Sequence, residues 1–164
     1  MDERNLRVAI ADDLSSARMI LAEMLRRLGH QVVLEAQSGT ELVEGCLRER
    51  PDLIVTDHLM PKLTGVEAAA KIYSQYPVPV ILLSAYSDPK VVLTAEQKHV
   101  VVYLVKPLDQ PVLEAAIDIA RRRFAASHAD YGMNNLDGVV LETVETTTVR
   151  PAIDQFERGP AAVR

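Results

Sequence analysis

The sequence predicts an α/β fold: a doubly wound, five-stranded parallel sheet with helices on both faces. Apolar runs of strand length recur at intervals from Leu6 to Val105. These runs are apolar throughout rather than alternating, as strands are when covered on both sides. Between them lie segments whose apolar residues follow helical spacing.

Leu6 to Ala11 reads as the first strand. Leu14 to Leu28 follows as a helix, with Ala17, Leu21, Met24/Leu25 and Leu28 on one face, Ser15 or Ser16 as its cap and Gly29 as its stop. Val32 to Ala36 is the second strand, and Gly39 to Arg50 a helix burying Leu42, Val43, Cys46 and Leu47. After Pro51-Asp52, Leu53 to Thr56 is the third strand. Thr64-Gly65 opens a helix through Tyr76, broken by Pro77 and Pro79. Val80 to Ser84 is the fourth strand. Asp88-Pro89 caps a short helix ending near Lys98. Val100 to Val105 is the fifth strand, and Asp109-Gln110-Pro111 starts a last helix that reaches Phe124. The order 2-1-3-4-5 suits this count and sets strands 1 and 3 side by side, where ligands bind beyond the carboxyl ends of the strands. Residues 1–126 therefore form one domain. Residues 127–164 form a tail of different texture, with no recognisable domain and a Val/Thr-rich stretch from Val139 to Val149 of strand-forming composition.

Composition narrows the function. A net charge of -5, with basic residues massed only at Arg121-Arg122-Arg123, argues against a nucleic-acid surface. The single cysteine, Cys46, permits no internal disulfide. No apolar run approaches the roughly 20 residues of a membrane helix, and no signal peptide opens the chain. The expectation is a soluble cytoplasmic protein.

The chemistry lies where the strands end. Asp12-Asp13 follows the first, Asp57 the third, Ser84-Ala85 the fourth and Lys106-Pro107 the fifth. Acids, a hydroxyl and a lysine at the ends of strands in one sheet describe a single site. His58 reads as a solvated or packed loop residue, Cys46 as core, and the three arginines as the solvated end of a helix. An aspartate-nucleophile phosphatase would need a D-x-D pattern after strand 1, which Asp12-Asp13-Leu14-Ser15 does not supply.

Taken together and in order, Asp12-Asp13 with Arg18, Asp57 through Met60-Pro61 to Gly65, Pro79 to Ala85, and Tyr103-Leu104-Val105-Lys106-Pro107 resemble the receiver domain of bacterial two-component response regulators, CheY-like and flavodoxin-like in fold. The resemblance covers Leu6 to about Phe124. It implies a phosphorylation-dependent switch in which a histidine kinase or phosphotransfer protein donates a phosphoryl group to Asp57. It implies Mg²⁺ held by Asp12, Asp13, Asp57 and the backbone carbonyl of Leu59. Ser84 would hydrogen-bond the phosphoryl group, Lys106 would pair with it, Tyr103 would be the switch aromatic, and the bond before Pro107 would be cis. The chain would be no enzyme in the ordinary sense, but an acceptor assisting its own phosphorylation and dephosphorylation. It would signal to a downstream protein or to a second copy of itself. Two departures stand out: Ser84 in place of threonine, and Gln97-Lys98-His99-Val100 where a Gly-Ala turn is usual. The alternative is an ANTAR-type RNA-binding antitermination regulator. The segment Ala115 to Phe124 resembles the helix that leads to such an output, but the tail is poor in the basic residues an RNA-binding bundle needs.

Overall fold

The computed structural model describes residues 5–97, 99–129, 139–142 and 148–151. Its elements are β1 (Arg7–Ala11), α1 (Ser15–Arg27), β2 (Gln31–Ala36), α2 (Gly39–Glu49), β3 (Leu53–Asp57), α3 (Gly65–Tyr73), β4 (Val80–Ser84), α4 (Pro89–Gln97), β5 (Val102–Val105), α5 (Gln110–Ala129), β6 (Val139–Glu142) and β7 (Thr148–Pro151). The sheet runs β2-β1-β3-β4-β5-β6-β7. Its first five strands are parallel in the 2-1-3-4-5 order, with five helices around them. Val139 to Val149 of the tail contributes β6 and part of β7, which extend the sheet beyond β5.

Alternation of side chains along the strands divides the core into two layers. One holds Ala9, Ile54 and Leu82 of the sheet beneath Leu42, Cys46, Ala69 and Ile72 of α2 and α3. The other holds Val8, Ile10 and Val55 beneath Leu21 and Leu25 of α1 and Leu113 and Ile117 of α5. Each fully buried Leu or Ile contributes roughly 1.5–3 kcal/mol. These layers therefore outweigh any single cap, worth about 1 kcal/mol, in holding the strand ends in place.

Helix starts follow local chemistry. Ser38 Oγ accepts from the Glu41 N–H at 3.2 Å. Thr64 and Glu67 form a reciprocal capping box. Asp88 Oδ1 accepts from the Lys90 N–H and Asp109 Oδ1 from the Val112 N–H, each at 2.9 Å.

Several boundaries differ from expectation. Neither Ser15 nor Ser16 caps α1; the N-cap is Leu14, with no side-chain cap, and its N–H donates instead to Asp12 Oδ1 at 2.9 Å. That bond fixes the turn from β1 into α1 and leaves the first turn of the helix without a side-chain cap. α3 stops at Tyr73 rather than Tyr76, its last turn tightening through bonds from Gln75 and Tyr76 to the Ile72 carbonyl. β5 begins at Val102, although the Val101 N–H already donates to the Val80 carbonyl. α5 runs on past Phe124 to Ala129.

The turn before β5, where the usual glycine is missing, takes a left-handed residue all the same: His99 has φ 68°. A side chain in that conformation costs about 1–2 kcal/mol. The His99 ring stacks on Tyr73, centroids 3.7 Å apart and planes at 4°. That contact offsets part of the cost.

Candidate functional site

The parallel register brings the functional strand ends to one level. Ala11 lies opposite Thr56, Asp57 opposite Leu83, and Ser84 opposite Val105. Asp12, Asp57, Ser84 and Lys106 therefore project from the same edge of the sheet, as the β1/β3 switch point requires.

Asp12 is 2% exposed and uses both carboxylate oxygens: Oδ1 accepts from the Leu14 N–H, and Oδ2 lies 2.9 Å from Lys106 Nζ. Its backbone carbonyl accepts from Arg18 Nη1 at 2.7 Å, which pins the loop to α1. Asp57, the last residue of β3, has its Oδ1 2.7 Å from the same Lys106 Nζ. Asp13 is exposed, yet one oxygen each from Asp12, Asp13 and Asp57 lie within 4.8 Å of one another. Leu59 lies in the loop two residues beyond Asp57, its side chain largely exposed. The Lys106–Pro107 peptide bond is cis.

Burial raises the Asp57 pKa above the ordinary carboxylate value. The hydrogen bond and charge of Lys106 oppose this, while Asp12 and Asp13 add to it. Lys106 shows the converse balance. Burial works against its charge, but the hydrogen bonds and charges of Asp57 and Asp12 outweigh it and raise its pKa. One cation is thus shared between two acids, with a third acid nearby and exposed.

Ser84 is buried at the end of β4, its Oγ 3.5 Å from the Tyr86 N–H, a long contact. Tyr103 is 3% exposed and donates its hydroxyl to the Tyr86 carbonyl at 2.7 Å. That bond adds to the β4–β5 pairing and to the Lys106 N–H bond to the Ser84 carbonyl, and ties Tyr103 to the segment just beyond Ser84.

Two residues act through features that the sequence does not display. Tyr86 matters through its carbonyl, which no side-chain pattern reveals. Gly65 matters for what it lacks: a Cβ there would stand 2.2 Å from the Asp57 carbonyl oxygen and 2.9 Å from Leu82 Cδ1. Gly65 also donates its N–H to the His58 carbonyl at 2.8 Å, closing the loop after Asp57. The Thr64-Gly65 helix start, eight residues beyond Asp57, was the available signal.

Two weighed residues have plain roles. Cys46 is buried, and burial pushes its thiol up to about 12, so it is unreactive core. His58 Nδ1 is buried and has no hydrogen-bond partner among the described residues; burial lowers its pKa, against the opposing charges of Asp57, Asp88 and Glu67. Among the described residues no helix is long and apolar enough to cross a membrane.

Three carboxylates, two buried and one exposed, beside a shared lysine ammonium, are suited to a hard divalent ion and a phosphoryl group. The family model of the response regulator receiver domain matches residues 8–118. Transcriptional regulatory protein PdtaR of Mycobacterium tuberculosis is 37% identical over 149 residues, covering 91% of this chain and 70% of the relative. The receiver domain of the putative response regulator NarL of M. tuberculosis superposes with a TM-score of 0.68 at 30% identity, covering 72% of this chain and 98% of that one. A CheX–CheY–BeF₃–Mg²⁺ complex from Borrelia burgdorferi includes a chain similar at a TM-score of 0.65 and 25% identity, over 69% of this chain and 85% of that one.

Proposed function

Because this chain belongs to the response regulator receiver family, we propose that Asp57 is its phosphoryl acceptor and that its output is a change in protein–protein contacts. The single observation that carries this reading is the position of Asp57: at the end of β3, 2.7 Å from Lys106, in reach of two further carboxylates.

The donor is a phosphohistidine of a kinase or phosphotransfer protein. Asp57 attacks through a carboxylate oxygen; a P–O bond forms as the P–N bond to histidine breaks, and the histidine retains the electron pair. The protein contributes position and charge, which is most of what such a transfer requires. Asp12, Asp13, Asp57 and the Leu59 carbonyl are the residues that would hold Mg²⁺, whose waters and small radius suit a few hard oxygens. When bound, the ion neutralises charge between the acids and the incoming phosphoryl group. The chain is an acceptor that assists its own phosphorylation and hydrolysis, rather than an enzyme acting on a separate substrate.

The acyl phosphate brings roughly -1.5 to -2 units of charge. Lys106, now shared between Asp57 and Asp12, has a stronger partner, and Ser84 Oγ gains an acceptor. Movement of Ser84 shifts the loop whose Tyr86 carbonyl holds Tyr103, so β5 and its neighbours α4 and α5 register the event.

An RNA-binding output of the ANTAR kind is not favoured. The residues described after α5 are two strands, not helices.

Incubation with acetyl phosphate and Mg²⁺, followed by intact-mass measurement, tests the acceptor. One phosphoryl group is expected on the native chain and none on Asp57→Asn. A phosphorylated Asp57→Asn would overturn the assignment.

A further inference from the structure

The strand at the edge of the receiver sheet is not bare. β6 pairs in parallel with β5, Tyr103 opposite Val140 and Leu104 opposite Leu141, and β7 returns antiparallel along β6. The connection that delivers β6 has the opposite hand to the rest of the sheet. α1 leads from β1 outward to β2 on one side, and a right-handed crossover on its face must lead that way. α5 lies on that same face, since Leu113, Ala116 and Ile117 share a core layer with Leu21 and Leu25. Yet it leads towards the other side, from β5 out to β6. β5-α5-β6 within one molecule is therefore a left-handed crossover, whereas about 98% of such connections are right-handed.

The same ladder forms without that crossover when β6 comes from another molecule. We propose that the edge of β5 is a strand-addition site for the β6–β7 hairpin of a second copy of this chain, the two copies exchanging hairpins to form a symmetric dimer. Three observations support the exchange. The pairing is between backbones in a fixed register, so an identical strand from a neighbour satisfies it equally. The four residues of β5 are Val-Tyr-Leu-Val, and an unpaired edge of that composition invites pairing. Nine residues, 130–138, separate α5 from β6. At full extension they span about 30 Å, enough to reach an adjacent copy. The joint falls on the strand that carries Tyr103, so it lies where the receiver's own switch reports.

Cysteine pairing between chains reads the exchange directly. Leu104 and Leu141 are paired in the backbone register of the ladder. Cα atoms of such partners fall within the roughly 4.4–6.8 Å a disulfide requires. The native Cys46 is buried and does not compete. A full chain carrying Leu104→Cys is mixed with a full chain carrying Leu141→Cys and oxidised. A disulfide-linked heterodimer is expected, and the native chain should sediment at twice its 18.1 kDa mass. Should the mixture stay unlinked while a chain bearing both cysteines closes its disulfide within one molecule, the hairpin pairs in cis and the proposal fails. Failure of both to link would remove the hairpin from β5 altogether and equally overturn it. Phosphorylation at Asp57 is measured separately, so loss of the receiver reading would not be mistaken for either result.

Discussion

Lys106 Nζ lies 2.7 Å from Asp57 Oδ1, so the residue proposed to accept the phosphoryl group is already held by the residue proposed to bind it. The same ammonium lies 2.9 Å from Asp12 Oδ2. The hydrogen bond and charge of Lys106 aim the acceptor and oppose the burial that raises its pKa.

Asp57 should cost the fold stability at neutral pH when no metal is present. Its folded pKa is raised, so the native state holds its proton more tightly than the unfolded chain does. Stability then falls as pH rises from the ordinary carboxylate value through the raised one. Asp57→Asn should melt a few degrees higher than the native chain at pH 7 in chelator. The difference should vanish in acid below the ordinary carboxylate range. An equal gain at every pH would show that charge is not its source.

Lys106 makes the opposite contribution. Its folded pKa is raised, so its stabilisation is complete below the ordinary lysine value and is lost only as pH climbs through the raised one. Lys106→Ala leaves two buried carboxylates without their cation and should destabilise the fold at neutral pH by about 1–3 kcal/mol, measured by urea unfolding. Asp57 should still accept a phosphoryl group, but the change in partner affinity on phosphorylation should be lost.

Asp13 is exposed and makes no hydrogen bond or ion pair with the described residues, so its carboxylate is available to a metal. Asp13→Ala should weaken Mg²⁺ binding roughly tenfold, equivalent to about 1.4 kcal/mol, by titration. It should slow phosphorylation and, in EDTA, raise the melting temperature slightly by relieving repulsion. Unchanged Mg²⁺ affinity would remove Asp13 from the ligand set.

Gly65→Ala would drive a methyl group into the Asp57 carbonyl. A loss of about 1–3 kcal/mol is expected from the overpacking. Phosphorylation should slow as well, because the main chain of the acceptor must shift. Native stability and rate in this variant would show that the loop has room to give.

Tyr103→Phe removes the bond to the Tyr86 carbonyl without emptying the space around the ring. It should cost about 0.5–1.5 kcal/mol, leave phosphoryl uptake unchanged and blunt the effect of phosphorylation on partner binding. A fully retained response would place the coupling elsewhere.

The element order and the strand ends were legible in the sequence because both depend on near neighbours. Leu53 to Val55 is apolar at every position, and Val80 to Leu83 likewise, which only strands covered on both faces tolerate. A strand that ends in Asp or Lys carries that group to the sheet's edge whatever the rest of the chain does. The helix starts at Thr64, Asp88 and Asp109 could be read in the same local way. Boundaries that depend on distant atoms could not: the turn at His99 is supported by the ring of Tyr73, 26 residues earlier on α3.

Tertiary structure alone decided the rest. Sequence places Asp12, Asp57 and Lys106 in separate segments, and only the parallel register fixes that one ammonium bridges two of the three acids. The bond from Tyr103 to the Tyr86 carbonyl joins a side chain to a backbone atom 17 residues away, and carbonyl oxygens carry no sequence signature. The crowding at Gly65 arises because β3 and α3 close around a single loop. The hand of the β5-α5-β6 connection follows from which face α5 covers and which edge β6 joins. Composition marked Val139 to Val149 as strand-forming, but a strand's partner is chosen by the free edge it meets in space.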